Sequence, residues 1–185
     1  LLTKGAGIEA TAILATDFRE ACAEAGVPEG TLDAAAGFLD KVSVVPDAAA
    51  TRDAATAMHD PTEGGLLTAL VETASASGVV LSVERDRVPV RPETEACCAA
   101  LGVDPLATFG SGALLAAVPP ERVDEAADAL SAAGIDVGEI GEVWAVGDGE
   151  GESSSEGDGA DDGRVLLDGD PIDEAPRDEL YPFWE

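Results

Sequence analysis

The sequence is short of cations and above all of lysine. Ten Lys and Arg stand against 38 Asp and Glu, the only lysines are Lys4 and Lys41, and the formal net charge is -28. A surface of that sign repels nucleic-acid phosphates and anionic lipid, so neither is an expected partner. Aromatic residues are also scarce, at 4%. The core must then come from small residues, mainly alanine and valine, each of which buries little area. The cysteines are Cys22, Cys97 and Cys98, and the single histidine is His59. Neighbouring side chains on a helix point about 100° apart, so Cys97 and Cys98 are poorly placed to share one metal. A structural zinc site is therefore not expected, and the thiols read as buried. No apolar run approaches the ~20 residues of a membrane span, and no basic stretch followed by an apolar one marks a signal peptide. The expected compartment is the cytoplasm. An opening at Leu1, with Met58 as the sole methionine, reads as cut from something longer.

What is present is a normal apolar content, 45% of the chain, as in globular proteins. Acidic, aromatic-poor chains are often disordered. The alternative is a folded halophilic protein whose self-repulsion is relieved by salt, since the screening length falls to about 3 Å near 1 M. Clear hydrophobic periodicity favours the folded reading. Ile8, Ala12, Ala15, Phe18 and Cys22 recur at helical spacing and predict one helix up to Gly26. Further helices are expected over 31–41, 46–56 and 60–77, then 92–101 and 120–133. Strands are expected over 79–83, 112–118 and 164–167, with a strand or strand pair over 137–146. The alternation gives an α/β (α+β) class with a mixed sheet covered by helices.

Residues 147–163 interrupt this pattern with seven acids, three serines and no cation. They read as a disordered, solvated insertion loop, joining paired strands at 143–146 and 164–167. The expected organisation is one domain over 1–146, the acidic loop over 147–163, and a final strand and tail of the same domain over 164–185.

The most informative stretch is Met58-His59-Asp60-Pro61-Thr62-Glu63-Gly64-Gly65. Asp60 as N-cap, Pro61 at N1 and Glu63 at N3 would make a capping box. Gly64 and Gly65 add something that a cap does not need, because each costs a helix roughly 1 kcal/mol against alanine. Such glycines suit a place where a backbone or a phosphate comes close. A helix N-terminus attracts an anion, whereas Asp60 and Glu63 repel one unless a metal intervenes. The local expectation is therefore either a polyphosphate-Mg2+ unit or a tightly packed edge. Lys4-Gly5-Ala6-Gly7 and Gly110-Ser111-Gly112 are two more glycine turns of this kind. Lysine is so rare here that Lys4 beside a turn suggests a phosphate contact.

Taken in order, AMHDPTEGGLLTALVETASASGV, RVPVRPE, ALGVDPL, GSGALLAAVPPE and IGEV resemble the C-terminal domain of the AIR synthase-related, PurM-like superfamily. The likeness is strongest to its carbamoyl-dehydrating, hydrogenase-maturation members. The resemblance spans about residues 1–146 and implies that the last strand and tail belong to the same domain. It implies a missing N-terminal domain that forms a homodimer and carries much of an ATP-Mg2+ site. The C-terminal domain then closes a cleft over the nucleotide and a second, small-molecule substrate. The implied chemistry is phosphoryl transfer to an amide or carbamoyl-type oxygen, achieved by positioning and charge neutralisation. Carried over by position, Asp60, Thr62, Gly64 and Gly65 line the cleft, with Asp60 as the Mg2+ ligand. Gly110, Ser111 and Gly112 form a second cleft turn, and Lys4, Gly5 and Gly7 a third. One departure matters: the carbamoyl-dehydrating members end in a cysteine, and this chain ends Leu180-Tyr181-Pro182-Phe183-Trp184-Glu185. That argues against their particular reaction. The alternatives are a non-catalytic ligand-binding or regulatory module, and a plain halophilic domain whose glycines serve packing.

Overall fold

The computed structural model describes residues 1–146 and 163–185. It holds two four-stranded sheets, with strands and helices numbered in chain order. The first is built from β1 (Leu2–Thr3), β2 (Ala57–His59), β4 (Leu115–Ala117) and β5 (Val137–Gly138). Its order is β2-β4-β1-β5, and every pair is antiparallel. The second sheet comprises β3 (Val79–Val83), β6 (Gly141–Ala145), β7 (Arg164–Leu167) and β8 (Asp170–Ile172). Here the order is β6-β3-β7-β8, with β3 antiparallel to β6 and parallel to β7. The result is a mixed α/β fold, its sheets covered by helices.

Two cores hold it. Helix α5 (Gly65–Ser77) buries Leu66 and Leu70 against Leu2 and Leu115 of the first sheet and Leu81, Val83 and Val165 of the second. The other core joins α1 (Ile8–Thr16), α2 (Arg19–Glu24), α3 (Glu29–Ala36) and α6 (Pro92–Leu101) around Leu14, Cys22, Leu32, Cys97 and Cys98. Leu180 from the C-terminal segment is fully buried there, so the tail is part of this core. Remaining helices are α4 (Val45–Thr51) and α7 (Val123–Ala132).

Strands β3 and β7 and helix α6 fall where periodicity places them. Elsewhere tertiary demands shift the bounds. The helix expected from Ile8 to Cys22 breaks at Phe18, whose backbone leaves the helical region at φ -113° and ψ 22°. Its ring packs edge-on to Phe183 and Trp184 of the tail. The helix over 31–41 begins at Glu29 and tightens to a 3-10 turn over Gly37–Lys41. The one over 46–56 stops at Thr51, because the chain must straighten to pair Ala57 with Ala117. The strand expected over 112–118 narrows to Leu115–Ala117, since residues 110–113 form a turn closed by the Ala113 N–H on the Gly110 carbonyl. The strands either side of the acidic stretch do not pair with each other. Between them lies β3, apolar enough to be buried as the inner strand. The insertion-loop reading itself falls on 147–162, outside the described residues.

Candidate functional site

The capping box does not form. Helix α5 starts at Gly65 behind Gly64, and both glycines have left-handed φ, 73° and 64°. Asp60, Thr62 and Glu63 lie on the turn before it, and Asp60 is exposed. The reason for two glycines is steric. A Cβ on Gly65 would overlap the Thr108 carbonyl oxygen and sit 2.8 Å from that of Leu106. A Cβ on Gly64 would collide with the Thr68 hydroxyl and come within 2.9 Å of the Pro176 carbonyl oxygen. Of the two expectations for this turn, the close approach is the one met, and the approaching groups are the chain's own backbone.

Those contacts join the first glycine turn to the second. The Thr62 carbonyl accepts from the Gly65 N–H at 3.0 Å and the Gly110 N–H at 2.9 Å. Gly110 is itself pressed on Pro61, to which a Cβ would come within 2.9 Å. The second turn in turn meets the start of α1: the Phe109 carbonyl accepts from the Ala10 N–H, and Gly112 (φ 109°) leaves room for Ile8. Gly5 and Gly7, also at positive φ, sit against Pro89 and Pro105 respectively. The structure thus brings Thr62, Gly64, Gly65, Gly110, Ser111 and Gly112 into one neighbourhood, with the Gly7 turn linked through α1.

None of the Gly64, Gly65 and Gly110 amides is a free donor, because each already has an acceptor within the chain. Nor is Lys4 free for a phosphate. Its ammonium lies 3.0 Å from Asp47 Oδ2 and donates to the carbonyls of Lys41 and Ser43. Asp47 is 1% exposed; its Oδ1 accepts from the Thr3 hydroxyl at 2.5 Å, while Oδ2 has no hydrogen bond of good geometry and depends on the Lys4 charge. Lys4 also holds φ at 58°, rare for a residue with a side chain.

The residue that sequence reasoning missed is Asp178. It is 2% exposed, and a buried carboxylate survives only with donors around it. Oδ2 accepts from the Gly64 N–H at 2.8 Å, and Oδ1 accepts from the Leu180 N–H at 3.0 Å and the Thr108 hydroxyl at 3.2 Å. The acid at the N-terminus of α5 is therefore Asp178, 114 positions away. Local spacing carries no sign of it. Around it, the Glu179 N–H donates to the Ala107 carbonyl, and the Tyr181 phenol bonds to Glu63, which raises its pKa. Tyr181 and Trp184 meet Phe109 edge-on.

At the rim, His59 Nε2 lies 2.7 Å from Glu72 Oε2, with Asp60 3.9 Å from its other nitrogen. No group of three or more His, Cys, Asp or Glu is arranged to hold a metal among the described residues. Burial first, and then the neighbouring thiols and carboxylates, push the Cys97 thiol up to about 11 and that of Cys98 to about 12; burial raises Cys22 as well. These are packed thiols, not nucleophiles. A small cavity of about 40 Å3 behind Met58 and a groove of about 650 Å3 beside Pro119 open away from the turns, and no glycine-turn residue lines either.

A family model described as AIR synthase related protein, C-terminal domain, matches residues 1–153. The chain belongs to that family. Within this AIR synthase-related domain, 75 residues are 41% identical to the carbamoyl dehydratase HypE of Rhizobium leguminosarum bv. viciae, covering 40% of the chain and 21% of that protein. The crystal structure of E. coli HypE superposes with a TM-score of 0.67 at 23% identity, covering 98% of this chain and 51% of that one. Thiamine monophosphate kinase from Aquifex aeolicus gives 0.60 at 18% identity, covering 92% and 50%. At those identities the two structures establish the fold. The chain spans about half the length of these solved relatives. No described helix is long and apolar enough to cross a membrane.

Proposed function

We propose that this domain forms one wall of a nucleotide cleft in an ATP-dependent AIR synthase-like protein, where a phosphoryl group passes to an amide or carbamoyl-type oxygen of a small substrate. The observation that carries this reading is the joining of the turns at 60–65 and 108–112 through the Thr62 carbonyl, with the exposed Asp60 beside them. The similarity to a carbamoyl dehydratase and to a kinase supports it. One exposed carboxylate does not hold Mg2+ alone. It suits an ion that arrives on phosphates and keeps its waters, to which Asp60 adds one ligand. When bound, that ion would neutralise phosphate charge; Thr62 and Ser111 would orient the nucleotide by hydrogen bonds. A preceding N-terminal domain would supply the facing wall and the homodimer contact, in a cytoplasmic, salt-adapted protein.

A second reading, a ligand-binding or regulatory module without catalysis, is favoured by a specific finding. The amides of Gly64, Gly65 and Gly110 are spent on Asp178 and Thr62, leaving fewer donors for a transferring phosphoryl group. Calorimetric titration of this chain, and of any longer polypeptide carrying it, with Mg-ATP in molar KCl separates the readings. The cleft reading requires saturable binding that Asp60→Asn weakens at least tenfold with unchanged melting. Binding indifferent to Asp60 favours the module, and no binding to either protein ends the nucleotide assignment.

A further inference from the structure

We infer that Asp178 is the positioning residue of this cleft wall, setting the two glycine turns in register from the far end of the chain. The inference rests on the cleft reading for its ligand, but its geometry stands independently. A carboxylate that merely capped α5 would need one turn as partner. Asp178 instead divides its two oxygens between turns: Oδ2 takes the Gly64 N–H of the first, and Oδ1 takes the Thr108 hydroxyl of the second. The two oxygens of a carboxylate are rigidly spaced, so satisfying both donors dictates how far apart the turns sit.

Contacts either side of it hold Asp178 in place. Its own Oδ1 accepts from the Leu180 N–H, and Leu180 is fully buried in the helical core. Before it, the Pro176 carbonyl accepts from the Thr68 hydroxyl at 3.4 Å. After it, Glu179 bonds at both ends: its N–H donates to the Ala107 carbonyl, and its carboxylate accepts from the Asp104 N–H at 2.6 Å. The strap from Pro176 to Tyr181 is therefore bonded along its length to α5 and to the segment that leads into the second turn. A Cβ on Gly64 would meet the Thr68 hydroxyl of α5 first and then the Pro176 carbonyl of this strap. The glycine that looks made for a phosphate gives its N–H to Asp178, and the ligand would be read by the outer face of turns whose inner face Asp178 holds.

The test compares Asp178→Ala, Asp178→Asn and Thr108→Val in the full chain, in molar KCl well below melting. Amide exchange at Gly64 and Mg-ATP affinity are measured for each. Asp178→Ala should speed Gly64 exchange at least tenfold and weaken Mg-ATP about tenfold. Asp178→Asn, whose carbonyl still accepts from one turn, should recover part of both. Thr108→Val should weaken affinity too, but add little on top of Asp178→Ala. Gly64 protection unchanged in Asp178→Ala overturns the inference. So does faster exchange with wild-type affinity, because Asp178 is then only a structural cap. Should the wild-type chain fail to bind Mg-ATP, the cleft reading falls, and exchange at Gly64 together with its partial recovery in Asp178→Asn decides the positioning role.

Discussion

The Lys4 turn and the Gly64-Gly65 turn look alike as sequence, a polar residue beside glycines, yet they are closed by opposite means. At the first, a side chain does the work: one ammonium holds Asp47 and two carbonyls. At the second, main chain meets main chain with no side chain between, and a distant carboxylate satisfies what is left. The difference teaches that a glycine turn announces close approach without naming what approaches. In both places the occupant is the protein itself.

The largest expected effect comes from breaking the first arrangement. Lys4→Met strands a buried Asp47 beside two unpaired carbonyls and should cost about 4 kcal/mol by denaturant unfolding, since losing one partner of a buried pair is severe. High salt should restore little of it, because buried charges are poorly screened. Gly65→Ala breaks the second arrangement. A methyl driven into the Thr108 and Leu106 carbonyls at φ 64° should cost about 3 kcal/mol in the same assay. If both substitutions proved equally harmless, the contrast between the turns would be wrong.

Asp60→Asn sharpens the contrast from the outside. Asp60 is exposed and caps nothing, so melting should shift by no more than about 0.5 kcal/mol, the whole effect being on Mg-ATP affinity. The smallest effect concerns acid. Burial by itself would raise the Asp104 carboxyl, but the two-pronged pair with Arg85 and the Leu106 N–H outweigh it and leave the pKa lowered. A lowered folded pKa gives stability that is present above the unfolded value and lost as pH falls through the folded one. Melting followed from pH 6 down past the ordinary aspartate range of about 3.9 should decline less steeply in Arg85→Ala than in wild type.

Much of the fold was legible in the sequence. The α/β class, β3, α6 and β7 follow from patterns that local chemistry produces: Pro92 at N1 and Gly102 behind α6, and short, mostly apolar strand runs at β3 and β7. The short strand at Leu2–Thr3 was not legible, because it is a strand only where β1 finds β4 and β5 across the fold; the stretch over 137–146 did hold a strand pair, Val137–Gly138 and Gly141–Ala145. The order of β6, β3 and β7 was misjudged because adjacency along the chain suggested a hairpin, while burial of β3 decided otherwise. Of the candidate site, the clustering of the turns was anticipated, whereas the filling of their amides was not. Asp178 lies in a stretch, Glu174-Ala175-Pro176-Arg177-Asp178, that reads as polar tail. Its importance comes from where Leu180 anchors it, which no periodicity shows.

The three buried thiols have a practical corollary. Inaccessible and reluctant to ionise, they should ignore maleimide reagents in the folded state. A single cysteine introduced at an exposed position such as Ser43 or Val45 would then take a fluorophore or spin label alone. The surroundings of such a position are therefore open to spectroscopy without first stripping the native sequence of sulfur.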